Sequence, residues 1–361
     1  MVELTERQRR TLAFVVREYV ETAQPVGSET LVRKRGLRVS SATIRNELAA
    51  LEEMGYLMHP HTSAGRLPTE KGYRYFVESL MEEFELPPVE QRMIRHQFHQ
   101  VTLDVDQWMR LAAAVLARAS RNTALVTAPL STSCRFKHLQ LVSINDQVAL
   151  LVLVLQDGAV KQQMLAIAQP IAQEELTRAS NRLNDHLAGL NLDQIRALAL
   201  SLSAFENDVL RIVANLMRQI DERSTHDVYR DGIMDILRQP EFSAIDRMQA
   251  LLEMLEQRTV LEGMLSELAP ERGVQVVIGG ESQRDEMSDY SMVLTRYGLP
   301  GEASGIVGVL GPLRMHYART IGVVRYVSSL LDDLMGRMYG RSLWRKPPDT
   351  GLVVLAMRRE M

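Results

Sequence analysis

A single cysteine, Cys134, stands among 361 residues, so no internal disulfide can form and a reducing cytoplasm is the expected compartment. Long hydrophobic runs are missing too. The longest, Val148 to Leu155, falls far short of the ~20 residues a membrane-spanning helix needs, so no membrane partner is expected. The first turn, Met1 to Glu6, is charged and leads into an amphipathic pattern, so neither a secretory nor a transit peptide is expected. There is no internal repeat and no low-complexity tract, and the formal net charge is only -3. A near-neutral average does not exclude nucleic acid, because a basic module can hide inside an acidic remainder. What is present is ordinary: 46% hydrophobic and 24% charged residues, the balance of a folding chain, in a length that predicts two or three domains.

The N-terminal stretch reads as short helices followed by a ribbon. Thr5 and Gln8 form a capping box, and Leu12, Val15, Val16 and Tyr19 share one helical face. Ser28 opens a second helix that Gly36 stops, and Ser40 or Ser41 caps a third with Ile44, Leu48 and Leu51 inward. Two short extended pieces flank His59 to Arg66, and Thr69 caps a fourth helix. Three helices and a two-stranded wing is the order of a winged helix-turn-helix. Pro87-Pro88 closes this unit, and a helical stretch follows over 89–120. Leu139 to Ile144, Val148 to Leu155 and Val160 to Ile167, joined by Asn145-Asp146 and Asp157-Gly158, predict an antiparallel meander. Helical patterning fills 171–268, strands return at 274–278, 291–297 and 305–310, and a last helix carries Val323 to Leu334. That order predicts an α+β sheet domain with a helical segment inserted in it or laid across it.

Function concentrates in the third helix. With Ile44, Leu48 and Leu51 inward, the opposite face carries Ala42, Asn46, Ala49 and Glu53, with Arg45 and Thr43 at its sides. Small side chains let that face approach a major groove, where arginine bonds guanine and asparagine bonds adenine, so Arg45 and Asn46 are the base-reading candidates. Ser40, Ser41 and Thr43 sit at the helix start, where free amides favour phosphate. Glu47, Glu52 and Glu53 repel it, so the N-terminal half should enter the groove. Arg33, Lys34, Arg35, Arg38, His59, His61 and Arg66 suit phosphate contacts, with Arg66 also suited to the minor groove.

Other chemistries have less behind them. Cys134 and His138 lack a third orienting group. His96 and His99 read as surface polars rather than a metal site. The glycines around 279–280 and 298–305 lack phosphate-loop or dinucleotide spacing. Neither an enzyme nor a cofactor is expected.

Gly27-Ser28-Glu29-Thr30-Leu31, Ser41 to Leu48, Pro60 to Thr69 and Gly72-Tyr73-Arg74, with Tyr297 to Pro312 and Arg314-Met315-His316-Tyr317 near the other end, closely resemble the HrcA family of bacterial heat-inducible transcription repressors. The resemblance implies a homodimer with an N-terminal winged helix, a GAF-like domain and an inserted dimerising domain. It also implies an inverted-repeat operator in double-stranded DNA upstream of chaperonin and related heat-shock operons, and help from the GroE chaperonin in reaching the active state. The expected layout is a winged-helix domain over 1–86, a GAF-like domain over 89–170 and 241–344, an inserted dimerisation domain over 171–240, and a tail over 345–361 that matches no family motif. A second expectation makes the GAF-like domain a small-molecule receptor that gates DNA binding.

Overall fold

The computed structural model describes residues 4–35, 40–60, 65–101, 104–131, 134–156, 158–167, 169–198, 200–223, 228–269, 273–282, 284–299 and 303–339. Gly36, Arg38, His61 and the tail over 345–361 lie outside the described residues, as does the side chain of Arg35.

The N-terminal unit is built from α1 (Glu6–Thr22), α2 (Ser28–Arg35), α3 (Ser41–Glu53), β1 (Leu57–Met58), β2 (Leu67–Pro68) and α4 (Glu70–Tyr75). The capping box of Thr5 and Gln8 starts α1 and Ser40 caps α3, its hydroxyl accepting from the Thr43 amide at 3.1 Å. Leu12, Val15, Val16, Leu31, Ile44, Leu48 and Leu51 close the core between the helices. β1 and β2 pair antiparallel, and Val26 bridges to Arg66 beside them. A chain segment between α1 and α2 therefore backs the ribbon. Gly72 is required at the start of α4, because a Cβ there would run into the Tyr56 carbonyl.

After Pro87 come α5 (Pro88–Gln100), α6 (Val105–Ser120), β3 (Thr123–Thr127) and β4 (Leu130–Ser131). Next are the meander strands β5 (Phe136–Asn145), β6 (Val148–Leu155) and β7 (Val160–Ala166), with α7 (Gln173–Leu187), α8 (Leu192–Ala197) and α9 (Ala204–Arg223) after them. The chain continues through β8 (Val228–Asp231), α10 (Ile233–Leu237), α11 (Ile245–Glu256), α12 (Arg258–Leu268), β9 (Gln275–Ile278), β10 (Tyr290–Leu299) and β11 (Ala303–Pro312) to α13 (Tyr317–Met338).

The larger sheet runs β8-β3-β11-β10-β9, with β4 on the end of β11, and every ladder is antiparallel. Its strands are apolar on both faces. Val126, Val276, Val293, Val307 and Val309 face α6 and α13, while Leu125, Val277, Met292, Leu294 and Leu310 face α11 and α12. Strict alternation into two different cores is what a sheet covered on both sides requires.

The meander corrects the expected grouping of strands. β5, β6 and β7 form a sheet of their own and share no ladder with the larger sheet among the described residues. With α7 and α9 they enclose a separate core of Leu139, Leu151, Leu153, Leu183 and Val213. α7 covers the outer edge of β5. The Asn184 side chain bonds the Leu139 amide and carbonyl at 2.7 and 3.0 Å, and the Ser180 hydroxyl accepts from the Leu141 amide at 3.0 Å. With its edge groups taken by α7, β5 offers nothing for another strand to pair with. The unit inserted between β4 and β8 thus starts near Cys134 and ends near Arg223, rather than spanning 171–240.

Candidate nucleic-acid interface

α3 turns one face inward through Ile44, Leu48 and Leu51, all at most 1% exposed, and leaves Ala42, Arg45 and Asn46 exposed on the other. The short Ala42 keeps the first turn slim, and both base-reading candidates point away from the core. Ser41 and Thr43 are half-buried. Ser41 is held to α2 by a 3.0 Å contact between its hydroxyl and that of Ser28, and the Thr43 and Ser40 hydroxyls lie 2.9 Å apart. The hydroxyls at the N-terminus are therefore fixed by local partners, and the exposed Ser40 stands at its tip.

Two acids of α3 are engaged within the unit. Glu47 meets Arg7 of α1 at 3.6 Å, and Glu52 accepts from Arg66 at 3.0 Å and pairs with His59. Partial burial pulls the Glu52 carboxyl up, but the hydrogen bonds from His59 and Arg66 outweigh it and leave the group below the usual carboxylate range. Three of the predicted phosphate ligands, His59 among them, are thereby engaged within the fold. The Arg66 side chain is only 12% exposed and is tied to Glu52, so it braces the ribbon against α3. Lys34 is paired with Glu18 of α1, which is buried. Arg33, one position earlier, is exposed.

Sequence reasoning missed the residues that join this unit to the rest. Arg74 of α4 donates from Nε to Glu281 at 2.7 Å, contacts the same carboxylate through Nη2, and also reaches the Val276 carbonyl at 2.8 Å. Arg314 donates to Glu241 at 2.6 and 3.1 Å and to the Val20 carbonyl at the end of α1 at 2.8 Å. Tyr73 packs against Tyr317 with ring centroids 6.0 Å apart. Both arginines lie in motifs that the sequence singles out without giving them a task, and nothing in chain order says that positions 74 and 281 meet. The glycine-rich segment after Tyr297 is packing: a Cβ at Gly305 would strike the Tyr297 ring, whose hydroxyl bonds the Thr127 carbonyl at 2.7 Å.

Cys134 is sealed in the small unit with its sulfur 3.4 Å from the Met217 carbonyl, whereas His138 is exposed. Among the described residues no group of three or more His, Cys, Asp and Glu side chains could hold a metal, and no helix is long and apolar enough to cross a membrane.

An exposed helix tipped with arginine and asparagine, carried on a body of helices and antiparallel sheet, is the arrangement of a transcription regulator. A family model described as the HrcA protein C-terminal domain matches residues 106–321. The heat-inducible transcription repressor HrcA of Roseiflexus castenholzii is 47% identical over 346 residues, covering 94% of this chain and 96% of its own. That of Herpetosiphon aurantiacus is 48% identical over 346 residues, covering 94% and 97%. A crystal structure described as a hypothetical protein superposes with a TM-score of 0.59 at 25% identity, over 93% of this chain and 98% of that one. The chain belongs to the HrcA family and is a heat-inducible transcription repressor rather than an enzyme.

Proposed function

We propose that residues 1–86 form a winged helix-turn-helix whose α3 reads the major groove of double-stranded DNA, with Arg45 and Asn46 on base edges, Ser40, Ser41 and Thr43 at the flanking phosphates, and Arg33 on the backbone. The observation that carries this reading is the exposure of Arg45 and Asn46 opposite the buried Ile44, Leu48 and Leu51. Lys34 and His61 are read as phosphate contacts, and Arg66 acts by holding the wing against α3. The sheet body is read as GAF-like and the unit from Cys134 to Arg223 as the dimerising insertion.

A homodimer on an inverted-repeat operator upstream of chaperonin operons follows, because one small module buries too little surface to hold DNA alone. What supports dimerisation through the insertion is the face of the meander turned away from α7. Val148, Leu150, Val152 and Val154 alternate outward along β6, and Val142, Val160 and Met164 flank them at 38%, 53% and 58% exposure. Gln140 and Gln162 beside Val152 and His138 beside Val154 break the face into an apolar strip with polar flanks, which suits a partner surface. Help from the GroE chaperonin belongs to the same proposal and rests on the family resemblance.

The test is binding of Arg45→Ala and Asn46→Ala to the chaperonin promoter region and to random duplex. Specific binding should weaken by about 1 to 3 kcal/mol with little change on random DNA. Equal losses on both overturn the base-reading assignment.

A further inference from the structure

β9 is an edge strand of the larger sheet, so its outer backbone groups have no strand to meet among the described residues. Side chains meet them instead. The Val276 carbonyl accepts from Nη2 of Arg74 at 2.8 Å, and two residues further on the Ile278 amide donates to the Glu281 carboxylate at 2.8 Å. Arg74 and Glu281 are themselves joined, Nε to carboxylate, at 2.7 Å. A carbonyl and the amide two positions later are the groups that one residue of a parallel neighbouring strand would take, so the ion pair stands in for that residue. One turn earlier on α4, Glu70 accepts from the Gly280 amide at 3.3 Å. Gly279 has a φ of 55°, and a Cβ there would strike the Glu70 carboxylate. α4 thus closes the sheet edge without being a strand.

The same helix holds the far end of α3. The Thr69 hydroxyl that caps α4 donates to the Gly55 carbonyl at 2.7 Å, and the Lys71 ammonium donates to the Met54 carbonyl at 2.7 Å. Hydrogen bonds therefore run from β9 through one short helix to the C-terminal end of α3. Arg314 ties the end of α1 to Glu241 on another element of the body. Two anchors on different elements fix an orientation, where one would leave a pivot.

We propose that Arg74 and Glu281 are positioning residues that set the angle of α3 on the body, and with it the half-site spacing that the repressor accepts. The inference rests on the reading of a dimer whose two α3 helices bind an inverted repeat. Both residues act through α4 on where the second reading helix lands once the first is seated. A stiff mount rejects half-sites displaced around the duplex, and a loosened mount tolerates them.

The measurement is binding of the full-length chain to three duplexes: the chaperonin promoter region, the same region with two base pairs inserted between the half-sites that footprinting locates, and a single half-site. The insertion turns one half-site by about 70° against the other. Glu281→Ala removes the acceptor of the Ile278 amide, while Glu78, 3.9 Å from Arg74, keeps the guanidinium compensated. The parent should lose roughly tenfold on the insertion and Glu281→Ala less than about threefold, with half-site affinities within about twofold of each other. A parent indifferent to the insertion, a Glu281→Ala penalty equal to the parent's, or a loss of the same size on all three duplexes each overturns the proposal. Should Glu281→Ala melt below the assay temperature, Arg74→Lys, which keeps the charge but not the fork, is read by the same criteria. A parent that binds no promoter DNA defeats the DNA reading instead, and amide exchange then decides the clamp. Ile278 should exchange roughly tenfold faster in Glu281→Ala than in the parent, and an unchanged rate overturns the clamp.

Discussion

Glu52 in the last turn of α3 accepts a 3.0 Å hydrogen bond from Nε of Arg66 in the ribbon, so α3 and the β1-β2 ribbon are tied into one piece. The Glu52 carboxyl sits below its ordinary range, held there against burial by His59 and Arg66. A depressed carboxylate stabilises the fold above the pKa it has in the unfolded chain, and that contribution is lost as pH falls through its lowered native value. Glu52→Gln should therefore lower the unfolding free energy at neutral pH by about 1 to 2 kcal/mol, read from denaturant curves, and the gap from the parent should close in acid. A gap that persists at low pH would mean the pair contributes through packing rather than charge.

Arg314 places one guanidinium on both sides of the seam, bonded to Glu241 in the body and to the Val20 carbonyl of α1. Its ordinary value is raised: burial pulls it down, and the Glu241 hydrogen bond and charge more than restore it. Arg314→Met leaves Glu241 without its partner and should speed amide exchange at the end of α1. The double variant with Glu241→Gln should recover part of that loss, because the stranded charge is gone. Purely additive effects would show the two residues acting independently.

Much of the fold was legible because it is written in local chemistry. The Thr5 capping box, the Ser40 cap and the Ile44, Leu48 and Leu51 stripe are set by neighbours three or four positions away. The hairpins β5-β6-β7 follow from alternation broken by turn residues. What escaped was long-range. The five-residue strand β3 and the four-residue β8 are too short to show a period, and they pair with each other across more than a hundred positions. That the meander stands apart from the larger sheet, with Asn184 and Ser180 bonding the β5 edge, is a tertiary fact. At the candidate interface, exposure of Arg45 and Asn46 followed from the helical period. The pairing of Arg66 with Glu52 and of Lys34 with Glu18 did not, since charge counts do not say which cations are already engaged.

That difference separates Arg33 from Lys34 experimentally. Arg33 is exposed at the end of α2, so Arg33→Ala should reduce the salt dependence of DNA binding by about one unit of slope and leave stability unchanged. Lys34 pairs with Glu18, whose side chain is only 4% exposed, so Lys34→Ala takes a compensating charge from a buried carboxylate and should lower the melting temperature as well. Equal melting temperatures for the two variants would refute the structural role given to Lys34.

The last relationship lies at the turn that follows Tyr297. The Gly298 amide donates to Asp332 of α13 at 2.6 Å, and Gly298 has a φ of 105°, open to glycine but not to a side chain without strain. Burial pushes the Asp332 carboxyl up to about 6, against the Gly298 hydrogen bond that lowers it. In the unfolded chain an aspartate loses its proton near ~4, so across the interval up to about 6 the native state holds more protons than the unfolded one. Stability attributable to this group therefore falls as pH rises through that window, and the penalty is complete at neutral pH, on the order of 2 kcal/mol. Asp332→Asn keeps an oxygen to accept from Gly298 and removes the buried charge. Denaturant midpoints should show the variant more stable than the parent at neutral pH and equal to it below about pH 4. A stability difference that stays constant across that range would show that Asp332 is not the group whose ionisation strains the joint between α13 and the β10 turn.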